Sequence, residues 1–207
     1  MHKSIRILYD EHRSLSAVLQ GLLALVRAAK NPAVRPEFPV FNAMIHYIDA
    51  FPERLHHPKE DHYLFARLAE RSPEARPLIE ELRAEHVTGA RLIRELEATL
   101  LAYEVNGQRD LAAFAAAAEA YAQFHWDHMR KEEKLLLPLA ERALSEEDWR
   151  AVDDAFAGNE DPIADLREED FDKLFQRIVS LAPDPIGLGN RWQKVAANGS
   201  EGKAQRD

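Results

Sequence analysis

Apolar residues recur at spacings of three and four along most of the first 145 residues. This period is typical of an α-helix with one buried face. No stretch shows the alternation of apolar and polar residues that marks a half-buried β-strand. The pattern therefore predicts an all-α protein with four long helices, at Ile5–Arg27, Phe38–Arg71, about 73–103 and Asp110–Leu144.

Proline, glycine and asparagine separate the predicted helices. Breaks fall at Asn31-Pro32, Ser72-Pro73 and Asn106-Gly107, and such pairs favour turns. Four long helices with short connections predict an antiparallel, up-down four-helix bundle. Pro52 and Pro58 lie inside the second helix. A proline there removes a backbone donor and crowds the preceding turn, so we expect a kink or a restart.

The C-terminal part of the chain carries weaker signals. Ser145 followed by Asp148 resembles a helix N-cap pair, which predicts a short helix at about 146–156, and a final short helix is expected at Glu168–Leu181. After Pro183, Gly, Asn and Ser become frequent and the helical period is lost. The expected organisation is a bundle over 1–145, a short helical extension over 146–182 and a loose tail over 183–207.

Composition narrows the range of functions. The 207 residues include 27 Lys and Arg against 36 Asp and Glu, for a net charge of −9. This balance argues against nucleic-acid binding, which depends on neutralising phosphates. The absence of cysteine excludes disulfides, cysteine-ligated clusters and a thiol nucleophile. Apolar runs fall short of the roughly 20 residues of a membrane helix, and the early charges differ from a signal peptide, so we expect a cytoplasmic protein without a membrane partner.

Two segments of the chain repeat one another. The sequence HHPKED at 56–61 matches HMRKEE at 128–133 at its His, Lys and Glu positions and at the following acid. In the helix before each segment, a glutamate precedes a lone histidine, as Glu11-His12 and Glu85-His86. The chain is therefore interpreted as two helical hairpins. Each has one lone histidine on its first helix and one His-x-x-x-Glu on its second.

The four-residue spacing places the histidine and the glutamate of each element on the same side of their helix. Residues four apart on a helix differ by about 40° in direction and about 6 Å in height, so the histidine and glutamate of each element can converge. Imidazole and carboxylate donors suit Fe, Mn or Zn, and two carboxylates can bridge two ions. The predicted ligands are His12, His56, Glu60, His86, His128 and Glu132.

Desolvation limits how these six groups can be accommodated. Burying one unpartnered polar group costs roughly 2–7 kcal/mol, so six would exceed the net stability of a domain, about 5–15 kcal/mol. The groups are therefore either exposed, as ordinary pairs on helix surfaces, or compensated by cations. The repetition favours cations. Two divalent ions would carry +4 against −2 from Glu60 and Glu132, and a bridging oxide or hydroxide would reduce the remainder.

Neighbouring residues have weaker claims to the site. His57 lies about 100° from His56 on a regular helix, and would replace it only if Pro58 distorts the turn. His125 is expected to line the site, with direct ligation as the alternative. The remaining candidates are expected on the surface or, for the tyrosines, in the core: His62, Glu11, Glu85, Lys59, Lys131, Tyr9 and Tyr121.

These motifs resemble the bacterial hemerythrin-like family, also called the HHE cation-binding domain. The resemblance covers about residues 3–143 and includes the Leu-Leu or Leu-Phe pair after each element and Pro138 in the second copy. It implies that the six predicted ligands bind a non-haem di-iron centre, two iron ions with an oxo or hydroxo bridge, for which Mn or Zn could substitute. Glu60 and Glu132 would be the carboxylate bridges. Proteins of this family bind O₂ reversibly, or respond to O₂, NO or iron.

The sequence departs from the invertebrate oxygen carriers at Ala90. Those proteins have a second histidine there, four residues after that of the third helix, so one metal here would carry fewer imidazoles and leave room for water, tyrosine or an exogenous ligand. We expect a protein that binds or senses O₂, NO or iron. A di-iron redox enzyme, either an oxidase or peroxidase or an iron-donating repair protein, is the alternative. A ferritin-like protein would need two Glu-x-x-His elements, and only Glu53-x-x-His56 fits.

Overall fold

The computed structural model describes residues 2–157, apart from the side chain of Phe51, and this part of the chain is helical without any strand. The all-α prediction is confirmed for these residues. No helix among them is long and apolar enough to cross a membrane. The α-helices are α1 (Lys3–Ala29), α2 (Phe38–Ile48), α3 (His57–Lys59), α4 (Ala66–Arg71), α5 (Arg76–Asn106), α6 (Leu111–Lys131), α7 (Leu137–Ala143) and α8 (Glu146–Ala157).

The predicted second helix runs without a break from α2 to α4, but its hydrogen-bonding pattern changes along its length. π-Helical segments at Asp49–His56 and Glu60–Phe65 flank the short α3. Pro52 lies inside the first of them, and the amide of His57 donates to the Pro52 carbonyl oxygen five residues earlier. A proline has no backbone N–H, so the expected interruption takes the form of a wider turn.

A third π-helical segment lies in the predicted fourth helix. It spans Glu132–Leu136 and joins α6 to α7. The hydrophobic pattern does not reveal this segment. A π-helical turn contains only one residue more than an α-helical turn, which shifts the spacing of apolar residues only slightly. Glu60 and Glu132 thus each begin a π-helical segment. Such turns are frequent at functional sites, where they redirect side chains.

Each of the four predicted long helices contributes buried residues to two apolar clusters, and a layer of buried polar residues lies between these clusters. Helix α6 packs on α1 and α5, and α2 packs on the same two helices. On α1, Leu8 belongs to the smaller cluster and Leu15 to the larger, and the buried His12 lies between them. The larger cluster includes Leu19, Leu22, Phe41, Met44, Tyr103 and Phe114, and the smaller one Leu64, Phe65, Leu82, Leu136 and Trp149.

Helix α8 confirms the predicted N-cap. The hydroxyl oxygen of Ser145 accepts a hydrogen bond from the Asp148 amide at 3.2 Å, and Asp148 Oδ2 accepts one from the Ser145 amide at 3.0 Å. The helix packs on α1 and places Trp149 in the smaller apolar cluster. The division at residue 145 stays a prediction. The helix predicted at Glu168–Leu181 and the tail over 183–207 lie outside the described residues.

Replacing Asp148 tests how α8 is attached. Its carboxylate also accepts hydrogen bonds from Arg71 Nε and Nη2 at 2.8 and 3.1 Å. The bonds from Arg71 and Ser145 lower the pKa of Asp148 from 3.8 to about 2. Since the pKa is lower in the folded state, the stabilisation is present above about pH 4 and is lost as the pH falls toward 2. Asp148→Asn should lower the free energy of unfolding by about 1 kcal/mol at pH 7.

Urea titrations from pH 7 to pH 2 measure this difference. It should close toward pH 2, where the wild-type carboxylate becomes protonated. The control is Asp154→Asn, an exposed position on the same helix, which should change stability by less than about 0.5 kcal/mol. A wild-type advantage that persists unchanged at pH 2 would contradict the role of the Asp148 charge.

Candidate metal centre

The polar layer contains all six predicted ligands. Each is between 1% and 7% exposed. They come from four stretches of the chain: α1, the long second helix, α5, and α6 with the π-helical segment after it. Their donor atoms fall into two groups in which every chosen ligand atom lies within 4.8 Å of the others. These groups are His12, His56, Glu60 and Glu132, and His57, Glu60, His86 and His128.

In the first group, the imidazole Nε2 atoms point at one another and at the carboxylates. His12 Nε2 lies 3.3 Å from His56 Nε2 and 3.2 Å from Glu132 Oε2. His56 Nε2 lies 3.3 Å from Glu60 Oε1. Two imidazole nitrogens and two carboxylate oxygens therefore converge on one small volume.

The histidines of the second group lie beside the other oxygen of each carboxylate. Glu60 Oε2 lies 3.5 Å from His86 Nε2, and Glu132 Oε1 lies 3.3 Å from His128 Nε2. Each glutamate thus turns one oxygen toward each group. This is the arrangement by which a carboxylate can bridge two metal ions.

A second set of carboxylates surrounds these imidazoles. His12 Nδ1 lies 3.1 Å from Glu133 Oε1, and His86 Nδ1 lies 3.1 Å from Asp61 Oδ2. A carboxylate at Nδ1 fixes the ring with its proton on that nitrogen, which leaves Nε2 free to bind a metal. Both acids directly follow a predicted glutamate ligand, so they are the acid that ends each repeated segment.

Glu11 and Glu85 complete this outer set, and the expectation that they face solvent is wrong. His56 Nδ1 lies 2.7 Å from Glu11 Oε2, and His128 Nδ1 lies 2.9 Å from Glu85 Oε2. Each glutamate precedes one lone histidine in sequence but contacts the histidine of the other helix in its hairpin. The repeated Glu-His pair was the available signal, but helix azimuth alone cannot reveal a partner on another helix.

Lys131 also departs from the expectation of a purely solvent-facing charge. Its ammonium group pairs with both Glu81 and Glu85, and its side chain is 30% exposed. Arg83 similarly lies beside Asp61. These two cations offset part of the negative charge of the outer carboxylates.

The buried charges shift the pKa values of the imidazoles upward. Burial lowers the pKa of His86, but the carboxylates of Asp61, Glu132 and Glu60 outweigh it and raise that pKa to about 11. His128 behaves likewise, with burial opposed by Glu132 and Glu85 and a pKa of about 9. The pKa values of His12 and His56 are also raised. The buried carboxylates therefore favour the protonated form of these four rings.

The residues fit a metal site because their inward atoms have no other partner. Among the described residues, buried side-chain atoms without a hydrogen bond occur elsewhere too, as at Tyr103 and Trp149, but five of them belong to the predicted ligands: His86 Nε2, His128 Nε2, Glu60 Oε2 and both Glu132 side-chain oxygens. Unsatisfied buried polar atoms are rare and costly in folded proteins. These five atoms all face the same two volumes and are nitrogen and oxygen donors of the kind that iron, manganese or zinc accepts.

His56 belongs to the first group and His57 to the second. His57 therefore lies beside the site in addition to His56 and does not take its place. A regular α-helix would turn His57 about 100° away from His56, but here one π-helical segment ends before α3 and another begins after it. His57 is 4% exposed, and burial lowers its pKa to about 3. The ring is therefore neutral, which is the form that coordinates metals.

The other histidines lie outside both groups. His125 is fully buried and its Nε2 lies 3.5 Å from Glu53 Oε1, in agreement with the expectation that it lines the site. Tyr121 donates to the same Glu53 oxygen at 3.0 Å. His62 is exposed, as expected, and its Nδ1 lies 2.6 Å from the Pro58 carbonyl oxygen.

Comparison with known protein families agrees with this geometry. Comparison with curated proteins finds no match to this chain. A family model described as the hemerythrin HHE cation binding domain matches residues 3–140. That range contains both groups of donor atoms and the four outer carboxylates. The chain therefore belongs to the hemerythrin HHE cation-binding domain family.

Proposed function

We propose that this chain is a non-haem di-iron protein that binds or senses O₂, NO or iron at a carboxylate-bridged centre. The observation that carries the proposal is that Glu60 and Glu132 each turn one oxygen toward each of two groups of imidazoles. The proposed ligands are His12, His56, Glu60, His86, His128 and Glu132.

We also propose that the centre lies inside an antiparallel, up-down four-helix bundle formed by residues 1–145. Side-chain contacts between the second helix and α5 support opposite directions. Asn42 contacts Glu104, Asp49 contacts Arg94, and Asp61 contacts His86. As the residue number rises along one helix, it falls along the other.

The proposed ligands and the residues around them would each have a defined part in holding the metals. His12 and His56 would bind one ion, His86 and His128 the other, and the two glutamates would bridge them. The outer carboxylates would keep the rings in the tautomer that presents Nε2. The apolar clusters on both sides of the polar layer would limit access of water. Two iron ions held there would supply an open position for a small diatomic ligand.

Optical spectroscopy of the protein reconstituted anaerobically with Fe(II) tests this function. We expect new absorption bands on exposure to O₂ or NO that disappear when the gas is removed. The same protein loaded with Zn(II) is the matched control, because zinc has no redox chemistry. Irreversible oxidation accompanied by steady turnover of peroxide would contradict the binding function and favour the redox enzyme.

Metal stoichiometry tests the number of ions. Elemental analysis should give two ions per chain after Fe(II) or Mn(II) reconstitution, because the donor atoms form two groups that could each hold one ion. His128→Ala should lower the metal content by at least half. His62→Ala, an exposed histidine on the second helix, should leave it unchanged. A single ion per wild-type chain would contradict the dinuclear centre.

Glu85→Gln tests the outer carboxylates separately from the ligands. Glu85 contacts both His128 and Lys131, whereas Glu81 contacts only Lys131 of these two. Losing the carboxylate behind a metal-binding histidine typically weakens metal affinity about 10–100-fold. Competition with a chelator should show that weakening for Glu85→Gln and little change for Glu81→Gln. Equal affinities for the two variants would mean that the contact at His128 does not support metal binding.

A further inference from the structure

His57 occupies a place that the six proposed ligands leave unexplained. We propose that His57 is the fifth imidazole of the centre and that Glu53 holds it in position, so that one metal has three imidazoles and the other has two. This inference rests on the dinuclear centre proposed above and specifies its asymmetry. The missing third-helix histidine at position 90 would thereby be replaced from the second helix.

The position of His57 supports direct ligation. Its ligand atom lies within 4.8 Å of those of Glu60, His86 and His128. Its ring lies face to face with that of His86, with centroids 4.1 Å apart and planes 11° from parallel, so one of the two rings would turn on metal binding to bring the ion into both ring planes. His57 is only 4% exposed, so its ring is buried as deeply as the proposed ligands of the second group.

Glu53 extends the pattern of the outer carboxylates to a fifth ring. The other four imidazoles each have a carboxylate oxygen 2.7–3.1 Å from Nδ1. His57 Nδ1 lies 3.4 Å from Glu53 Oε2, a longer contact that makes no hydrogen bond in this structure. With Nδ1 toward Glu53, Nε2 is the nitrogen left for the metal.

Other groups hold Glu53 itself in the core. Its Oε1 accepts a hydrogen bond from the Tyr121 hydroxyl at 3.0 Å and lies 3.5 Å from His125 Nε2. The Glu53 side chain is only 5% exposed. Contacts to Oε1 from two directions leave Oε2 for His57, so Tyr121 and His125 act as supports for Glu53 and not as ligands.

Helix α5 provides the space for this arrangement. A Cβ atom added at Gly89 would lie 2.9 Å from Glu53 Oε1 and 3.4 Å from the His125 ring. The absence of a side chain at this buried position is what lets Glu53 approach. Ala90 is exposed and its methyl group offers no ligand. The third helix is therefore recessed where the second helix supplies its additional imidazole.

Comparison of the two repeated halves shows that only the first half has the extra imidazole and its carboxylate. With the offset of 72 residues (56 to 128), His57 corresponds to Met129 and Glu53 to His125. Met129 packs in the larger apolar cluster. The second half therefore has neither the extra imidazole nor its carboxylate, and the two metal positions are unequal.

Cobalt(II) is a suitable probe for counting the imidazoles of the wild-type protein. Each imidazole bound to Co(II) gives one strongly shifted, solvent-exchangeable N–H proton in the NMR spectrum. Five such resonances are expected in the fully loaded protein, and four would overturn the inference. This measurement requires no variant and so does not depend on the folding of one.

Variants assign the fifth ligand and its support. His57→Gln keeps a hydrogen-bond donor beside Glu53, and it should remove one shifted resonance and weaken the binding of one Co(II) at least tenfold while the other stays unchanged. Glu53→Gln should weaken the same Co(II) about 10–100-fold and move the His57 N–H resonance. His62→Gln, at an exposed histidine of the same helix, is the control and should change affinity less than threefold. Circular dichroism of each metal-free variant checks that its helices are intact.

The possible results separate this inference from the dinuclear centre. A wild-type protein that binds fewer than two Co(II) ions would refute the dinuclear centre. A wild-type protein that binds two, with His57→Gln matching it in affinity and in the number of shifted resonances, would refute the role of His57 alone. Unchanged affinity and resonances in Glu53→Gln, with loss in His57→Gln, would refute the positioning role of Glu53.

Discussion

The buried carboxylates of Glu60 and Glu132 are the constraint on which the rest of this structure depends. Both lie in the polar layer between the two apolar clusters and are about 1% exposed, where an uncompensated negative charge is highly unfavourable. Imidazoles from every long helix converge on them, and protons or metal cations supply the compensating charge. The pKa values show the coupling: burial and the charge of Glu132 raise the pKa of Glu60, but His56 and His86 outweigh both and lower it to about 2.

The irregular parts of the helices follow from the same constraint. A regular helix presents one narrow stripe to the core, yet the second helix must direct His56, His57 and Glu60 into one layer. The π-helical segments on both sides of α3 provide that extra freedom. The π-helical segment that begins at Glu132 provides the same freedom in the second half of the chain. Pro52 is compatible with such a segment because its missing N–H is not needed where the hydrogen-bonding pattern changes.

The two halves of the chain are related closely enough for their differences to be informative. Each half places its outer carboxylates in the same way: one acts within its own hairpin, and the other reaches the lone histidine of the opposite hairpin. This crossed arrangement ties the hairpins together around the centre. The addition of Glu53 and His57 in one half breaks the repeat, and Gly89 on α5 makes the necessary room.

The sequence by itself determined the helical class, the approximate positions of the long helices, the N-cap at Ser145 and the helical spacing of each His-x-x-x-Glu pair. These features follow from local spacing, since three- and four-residue periods and caps are properties of neighbouring residues in one helix. Only the tertiary structure decided which acid accompanies which imidazole, because Glu11 and Glu85 meet their histidines on another helix. It also decided the position of His57, because the direction of that side chain depends on π-helical turns that hydrophobic spacing does not record.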